Sequence, residues 1–90
     1  MKIERKKDAI IMVNERGEEI AALEYREVNN VYHLMSTYVN PAYRGQGLAG
    51  ELMDEMVTLL KEKNAKASPV CGYSVKYFSL HPEYKEYLDR

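Results

Sequence analysis

The stretch Arg44-Gly45-Gln46-Gly47-Leu48-Ala49 lies where the chain changes from a β-rich pattern to a helical one. Glycines at 45, 47 and 50 leave the backbone uncovered where the helix is predicted to begin. The first turn of a helix has amide N–H groups without intrahelical partners, and the helix dipole favours negative charge there. A glycine-rich loop that enters such a turn can wrap a phosphate with backbone N–H groups. The stretch therefore predicts a diphosphate-binding loop.

The loop fits two phosphate-binding patterns, and its surroundings help to separate them. Residues 45–50 match the dinucleotide pattern G-x-G-x-x-G, which needs a strand directly before it and an acid about 20 residues later. Here a turn over 40–43 intervenes, and residues 67–71 contain no acid. A Walker-type loop is excluded because no Lys-Ser/Thr pair follows the glycines. The second pattern, Arg/Gln-x-x-Gly-x-Gly/Ala, is matched by Arg44, Gly47 and Ala49. The alternative to both is a glycine-rich turn that merely starts a helix.

Length and composition indicate one globular domain over residues 1–90. The chain is 46% hydrophobic and 30% charged, with a formal net charge of −1. This balance gives no long-range attraction to nucleic acid or to an anionic membrane, so neither is expected as a partner. The single cysteine, Cys71, excludes an internal disulfide and is typical of a reducing cytoplasm. No Cys/His cluster has zinc spacing, and no metal site is expected.

The first half of the chain predicts an antiparallel meander. A short edge strand is expected over residues 3–6, followed by strands over 9–13, 19–28 and 31–39 that are rich in β-branched and aromatic residues. Gly17 marks the first turn, because glycine readily adopts positive φ. Asn29-Asn30 predicts a two-residue hairpin, since asparagine tolerates the left-handed region.

The second half predicts a β-α-β unit. Leu48, Leu52, Met56 and Leu59 recur at helical spacing and indicate an amphipathic helix over 47–63. A short strand follows over 65–70, then a helix over 73–80 with Val75, Phe78 and Leu80 packing inward, and a last helical turn over 83–88. The order ββββαβα defines an α+β fold, in which the crossover makes the last two strands parallel and right-handed. The glycine loop then lies where ligands of open sheets bind.

The loop and the order of elements together resemble a minimal GNAT domain, the fold of the GCN5-related N-acetyltransferases. Longer members carry further C-terminal strands, so this chain looks like a short form with a truncated C-terminus. The segment Pro69-Val70-Cys71-Gly72-Tyr73 resembles the cysteine segment of such short proteins. One position departs from them, because short relatives often have a histidine where this chain has Ser36, just before Thr37.

The resemblance implies acetyl-CoA, or coenzyme A, as the cofactor. Its pantetheine arm would enter a wedge between the fourth and fifth strands, which are expected to diverge near Val39 and Val70. The arm would pair with the backbone of Thr37, Tyr38 and Val39. The pyrophosphate would lie on the loop formed by Gly45, Gln46, Gly47, Leu48, Ala49 and Gly50. Arg44 is either a phosphate ligand or a solvated surface residue.

Acetyl transfer to an amine needs a base, a stabiliser for the oxyanion and an acid for the departing thiolate. Cys71 precedes a predicted helix, whose dipole could favour its thiolate; the residue either accepts an acyl group, faces the coenzyme thiol or packs as a small hydrophobe. Tyr73 and Tyr77 lie four residues apart, on one face of a helix, and either one could protonate the thiolate or both could serve only in packing. His33 is a candidate base or a structural strand residue.

Three functions remain open from the sequence. The first is an acetyl-CoA-dependent N-acetyltransferase that acts on a small-molecule or peptide amine. The second is a non-catalytic acyl-CoA-binding module, and the third is a protein-interaction domain on the same fold. Coenzyme binding separates the third from the first two, and turnover separates the first from the second.

Overall fold

A computed structural model describes residues 1–89 and shows one five-stranded sheet with helices. The strands are β1 Lys2–Arg5, β2 Ala9–Val13, β3 Glu19–Val28, β4 Val31–Val39 and β5 Lys66–Pro69; the helices are α1 Leu48–Lys63 and α2 Gly72–Leu80. The sheet order follows the chain order. The β1–β2, β2–β3 and β3–β4 pairs are antiparallel, whereas β4 and β5 are parallel. The predicted α+β meander with a β-α-β unit is therefore confirmed.

The predicted turns also form as expected. Gly17 has φ of +79°, and both asparagines of the β3–β4 hairpin, Asn29 and Asn30, have positive φ. Such a pair matches the twist of the flanking strands. The last predicted helical turn is a 3₁₀ helix over Pro82–Tyr87 rather than an α-helix. A second 3₁₀ turn, Pro41–Tyr43, precedes the glycine loop.

The main core lies between α1 and one face of the sheet, which we call the helix face. Seven residues of α1 are buried there: Leu48, Leu52, Met53, Met56, Val57, Leu59 and Leu60. They pack against strand residues such as Ile10, Leu23 and Leu34. Burying this apolar stripe is what holds α1 on the sheet. None of the helices over residues 1–89 is long and apolar enough to cross a membrane.

The opposite side of the sheet, which we call the bare face, has a much smaller apolar cluster. It consists of Ile11, Val13 and Ala22 with Ala9 packed against them. All four belong to β2 or β3, and within residues 1–89 this cluster includes no helical side chain. Among the described residues, the apolar cluster on the bare face is therefore formed by strand side chains.

The short helix α2 lies beside α1 and buries a different set of residues from the predicted one. Ser74, Tyr77 and Phe78 are buried, whereas Val75 and Leu80 are 51% and 64% exposed. The inward stripe follows i, i+3 and i+4 spacing from Ser74, and its polar first member hides the pattern in the sequence. Val75 and Leu80 were therefore wrong as core predictions, and Phe78 was right.

A β-bulge in β4 marks the point where β5 leaves the sheet. Glu24 pairs with Ser36 and Tyr25 pairs with Leu34, so Met35 is an extra residue on β4. The parallel ladder with β5 reaches Leu34 and stops there. The remainder of β4, residues 35–39, therefore runs on beyond the end of β5.

Candidate functional site

The glycine loop forms an open cradle of backbone amides at the start of α1. Gly45 and Gly47 have φ of +83° and +76°, and a Cβ built on either would meet nothing within 4 Å. Gly47 is the N-cap of α1, and no side chain caps that end. The first intrahelical bond is donated by Glu51 to the Gly47 carbonyl, at 3.2 Å. The N–H groups that precede Glu51 in the first turn have no carbonyl partner within α1, so they can bind an anion.

The loop borders a shallow cavity of about 200 Å³. Its lining includes many of the residues predicted to bind the cofactor, and it also includes the catalytic candidate Tyr73 from α2. Gln46 is exposed and outside the lining, and Arg44 extends its Nε towards the Val39 carbonyl at 3.4 Å. The lining residues are Val39, Tyr43, Arg44, Gly45, Gly47, Leu48, Ala49, Gly50 and Tyr73.

A gap opens between β4 and β5 next to this cavity. The gap begins at the Leu34 carbonyl of β4. This carbonyl accepts hydrogen bonds from the N–H groups of Val70 and Cys71, both at 3.0 Å. The predicted divergence of the strands is confirmed, but on β4 it begins at Leu34 rather than near Val39. The prediction was wrong in position because the sequence does not reveal the bulge at Met35.

The backbone of β4 presents alternate residues to the gap. The Asn40 N–H donates to the Ile20 carbonyl on β3, so two-residue alternation directs Tyr38 towards β3 as well. Thr37 and Val39 therefore direct their backbone polar groups to the gap. Of the three residues predicted to pair with pantetheine, Thr37 and Val39 face it, whereas Tyr38 pairs within the sheet and its side chain is 51% exposed.

Cys71 lies across the gap from Thr37, at the N-cap of α2. Its sulfur is 3.2 Å from the Thr37 hydroxyl and 3.1 Å from the Ser74 hydroxyl. Burial raises the pKa of the Cys71 thiol, but its hydrogen bonding with the Ser74 and Thr37 side chains and with the backbone N–H groups of Ser74 and Tyr73 outweighs this effect, so the pKa lies below its ordinary value. The arrangement therefore makes the Cys71 thiol easier to deprotonate than an ordinary thiol.

Tyr73 and Tyr77 face different surroundings although both lie on α2. The Tyr73 hydroxyl is 3.6 Å from the position of a Cβ on Gly50, and the side chain is 42% exposed at the cavity. Tyr77 is buried, and its hydroxyl donates to the Asp54 carboxylate at 2.7 Å. Burial and then this hydrogen bond raise the pKa of Tyr77 well above its ordinary value. Tyr77 does not line the cavity.

His33 is not brought to the gap. It pairs with Arg26 on β3 and with Ser68 on β5, in the fully paired part of the sheet. Because its neighbours Tyr32 and Leu34 are buried in the main core, strand alternation places His33 on the bare face. It precedes Thr37 by four positions, roughly 13 Å along an extended strand.

Two residues at the site were missed by sequence reasoning. Tyr43 lines the cavity and its hydroxyl accepts a hydrogen bond from Asn14 at 3.1 Å. Ser74, fully buried, contacts the Cys71 sulfur and donates to the Cys71 carbonyl at 2.9 Å. The available signal for Ser74 was its i, i+3 and i+4 spacing with Tyr77 and Phe78, the other buried residues of α2. Tyr43 carried no signal beyond its position before the loop.

Several solved structures share the fold of this chain. The fold is similar to that of a GCN5-like protein from Staphylococcus aureus, with a TM-score of 0.78 and 21% identity over 98% of this chain and 87% of that one. An Escherichia coli GNAT family N-acetyltransferase solved in complex with CoA has a TM-score of 0.65 and 19% identity, over 86% of this chain and 44% of its own. The ribosomal-protein-S18-alanine N-acetyltransferase of E. coli has a TM-score of 0.67 and 16% identity, over 90% and 54%.

The chain thus spans most of the S. aureus protein but only about half of the two E. coli enzymes. No protein of curated function is significantly similar to it in sequence. The family model described as GCN5-related N-acetyl-transferase matches residues 9–87, nearly the whole chain. The protein therefore belongs to the GCN5-related N-acetyltransferase family, whose cofactor is acetyl-CoA.

Proposed function

We propose that this chain binds acetyl-CoA and transfers its acetyl group to the amine of a small molecule or peptide. The supporting observation is that the amide cradle of the glycine loop and the open backbone edge of β4 meet at one cavity. The amide cradle can bind a phosphate group. The open edge of β4 can pair with an extended arm that carries amide groups, such as pantetheine. Family membership supports the same reaction class.

The residues present fit this cofactor. Nothing lies within 4 Å of a Cβ on Gly45 or Gly47, so an anion can approach the amides closely. The backbone groups of Thr37 and Val39 would pair with the pantetheine amides. Arg44 would turn from the Val39 carbonyl to the phosphates, where its guanidinium adds charge-assisted hydrogen bonds. Bound acetyl-CoA supplies the acetyl group as a thioester.

Cys71 and Tyr73 are the side chains that we assign to the reacting end. Tyr73 extends over the start of α1 with its hydroxyl near Gly50, which suits it to donate a proton to a departing thiolate. Cys71 adjoins the β4 edge through Thr37, so its sulfur would face the thioester. We do not assign a direct chemical role to Tyr77, because its hydroxyl is engaged with Asp54.

The loop is tested by a matched pair of glycine substitutions. Gly47 and Gly17 both have positive φ and open space where a Cβ would stand, but only Gly47 is in the loop. Alanine at either position carries similar backbone strain. Isothermal titration with coenzyme A should show roughly tenfold or greater weakening in Gly47→Ala and no change in Gly17→Ala, because only the former obstructs the phosphate.

Urea unfolding of both variants provides the folding control for that titration. Similar destabilisation of both, with weakened binding in Gly47→Ala alone, supports the proposal. Equal coenzyme affinity in the two variants would remove the loop from the site. Absence of coenzyme binding by the folded wild type would refute the proposed function.

A second candidate is a binding module that does not transfer the acetyl group. One observation favours it, because no carboxylate or imidazole is among the residues that line the cavity. Release of free coenzyme A from acetyl-CoA, measured with a panel of amines, decides between the two. Amine-dependent release establishes transfer, whereas tight binding without such release establishes the module.

A further inference from the structure

We infer that Met35, Tyr38 and Val70 select the acceptor at the bare-face opening of the β4–β5 gap, and that they favour small amines carried on an aliphatic or aromatic group. We call these three side chains the apolar rim. This role depends on the proposed function and deepens it, since it concerns the group that carries the amine and not the amine itself.

The strand register places Met35 and Val70 on the two sides of the gap, at the point where it begins. The parallel ladder ends with the pair Leu34–Pro69, and the Val70 N–H still donates to the Leu34 carbonyl at 3.0 Å. Met35 on β4 and Val70 after β5 are therefore the first residues beyond the last pair. The gap opens from these two residues onwards.

Val70 directs its side chain to the bare face. Its hydrogen bond to Leu34 continues the spacing of the ladder, so the two-residue alternation of β5 extends to it. Ser68, two positions earlier, pairs with His33, which lies on the bare face. Val70 therefore stands on the same side as Ser68.

Met35 and Tyr38 belong to the same face on the other side of the gap. Met35 is the extra residue of the β4 bulge, and it shares a cavity with Glu24 and Arg26, the bare-face residues of β3. Tyr38 pairs with Ala22, which belongs to the bare-face apolar cluster. The rim thus has two members on β4 and one on the end of β5.

The three side chains of the rim are about half exposed although all are apolar or aromatic. The exposed fractions are 44% for Met35, 51% for Tyr38 and 53% for Val70. Ser36 lies between the two β4 members, and Ser68 precedes Val70 on the same face, so the apolar surface is confined to the opening of the gap. An apolar group that settles there removes this surface from water, whereas a polar group does not.

The rim stands on the side from which an acceptor can reach the reacting end. Thr37 pairs with the core residue Leu23, so its side chain lies on the helix face, and its hydroxyl bridges the gap to the Cys71 sulfur at 3.2 Å. A thioester held beside Cys71 is therefore approached from the bare face. An amine that arrives there brings the group that carries it against the apolar rim.

The first test compares phenethylamine with ethanolamine, which are both two-carbon primary amines and differ in a phenyl ring against a hydroxyl. Amide chemical shifts of the wild type with bound coenzyme A should change saturably at Met35, Tyr38 and Val70 on addition of phenethylamine. Ethanolamine should bind roughly tenfold or more weakly. Similar affinity for the two amines, shift changes away from the rim, or no saturable change with phenethylamine would overturn this assignment.

The second test uses a matched pair of valine substitutions. Val70→Thr and Val28→Thr make the same nearly isosteric change at half-exposed valines, but Val28 pairs with Val31 at the opposite end of β4. Phenethylamine affinity should fall roughly threefold or more in Val70→Thr, and likewise in Met35→Gln, because less apolar surface is buried. It should be unchanged in Val28→Thr.

Coenzyme A titration of each variant provides the folding control. Where transfer to phenethylamine is measured, the rim variants should raise KM with little change in kcat, as expected for a contact made equally in the bound and transition states. Unaltered phenethylamine affinity in both rim variants would overturn the assignment while coenzyme binding stands. Failure of the wild type to bind coenzyme A would overturn the proposed function instead.

Discussion

At the scale of single residues, Cys71 shows how position decides the character of a side chain. A lone cysteine in a sequence is usually a small buried hydrophobe. Here the sulfur lies between the hydroxyls of Thr37 and Ser74 at a helix N-cap, and the resulting hydrogen bonds more than offset the effect of burial on its pKa. The sequence predicted that a helix begins just after Cys71. It did not predict that Thr37 of β4 lies opposite the Cys71 sulfur, because that contact depends on the fold.

Because the pKa of Cys71 is lowered, we expect its thiol to react with alkylating reagents at a lower pH than an ordinary cysteine does. The rate of iodoacetamide labelling against pH should give a pKa below the usual value, and bound coenzyme A should slow the labelling. Ser74→Ala should move that pKa upward, since one stabilising hydroxyl is lost. An ordinary thiol pKa without protection by coenzyme A would assign Cys71 to packing.

At the scale of elements, α1 and α2 run side by side in register. Tyr73 stands over Gly50 and Tyr77 contacts Asp54, so equal four-residue steps along both helices bring matching positions together. Sequence patterns located both helices within one or two residues of their ends. They did not give the contacts between the helices, because the inward face of α2 includes the polar Ser74 and the hydroxyl-bearing Tyr77.

Tyr77→Phe should therefore affect stability and not acetyl transfer. The change removes the bond to Asp54 that joins the two helices and leaves the buried ring in place, at a cost of about 1 kcal/mol in the free energy of unfolding. Tyr73→Phe should do the reverse, with slower transfer and nearly unchanged stability, because Tyr73 is partly exposed. Urea denaturation and acetyl-CoA turnover measured on both variants check this; a selective loss of transfer in Tyr77→Phe would contradict it.

At the scale of the whole molecule, most of the fold could be predicted because neighbouring strands are also neighbours in sequence. Strands over 9–13, 19–28 and 31–39 and the hairpin at Asn29-Asn30 formed as predicted. Local alternation and turn residues are sufficient for such a meander. The bulge at Met35 could not be predicted, because it is a property of how β4 pairs with β3 and not of either strand alone.

Arg5 joins the N-terminal strand β1 to α1 through two glutamates of the helix. Arg5 donates to Glu55 at 2.8 Å and to both carboxylate oxygens of Glu62, at 2.8 and 3.1 Å. These contacts join residues that are 50 and 57 positions apart in the chain, and they connect β1 to the helix. Hydrogen bonds from Arg5 are the main cause of the lowered pKa of Glu62.

This arginine should make the stability of the domain depend on pH. Because the pKa of Glu62 is lowered in the folded state, its contribution is present above the ordinary glutamate pKa and is lost as the pH falls through the lowered value. Arg5→Met, which keeps the apolar stem, should lower Tm at neutral pH and flatten the fall of Tm as the pH drops below the ordinary glutamate pKa. Parallel thermal melts of both proteins at low salt would reveal the difference, and superimposable curves would show that the tie contributes nothing.

Ligand binding in the cavity at the glycine loop should also shift the folding equilibrium towards the folded state, because the β4–α1–β5 crossover builds that cavity. The cavity takes Val39 from the end of β4, Gly47 from the loop and Tyr73 from α2, so its walls come together only when the crossover is complete. A molecule that binds there has no equivalent site on the unfolded chain. By mass action it adds to the stability of the entire domain, about 2.7 kcal/mol at a concentration one hundred times its Kd. Resistance to heat, protease and denaturant would then rise together with the supply of ligand in the surroundings of the protein.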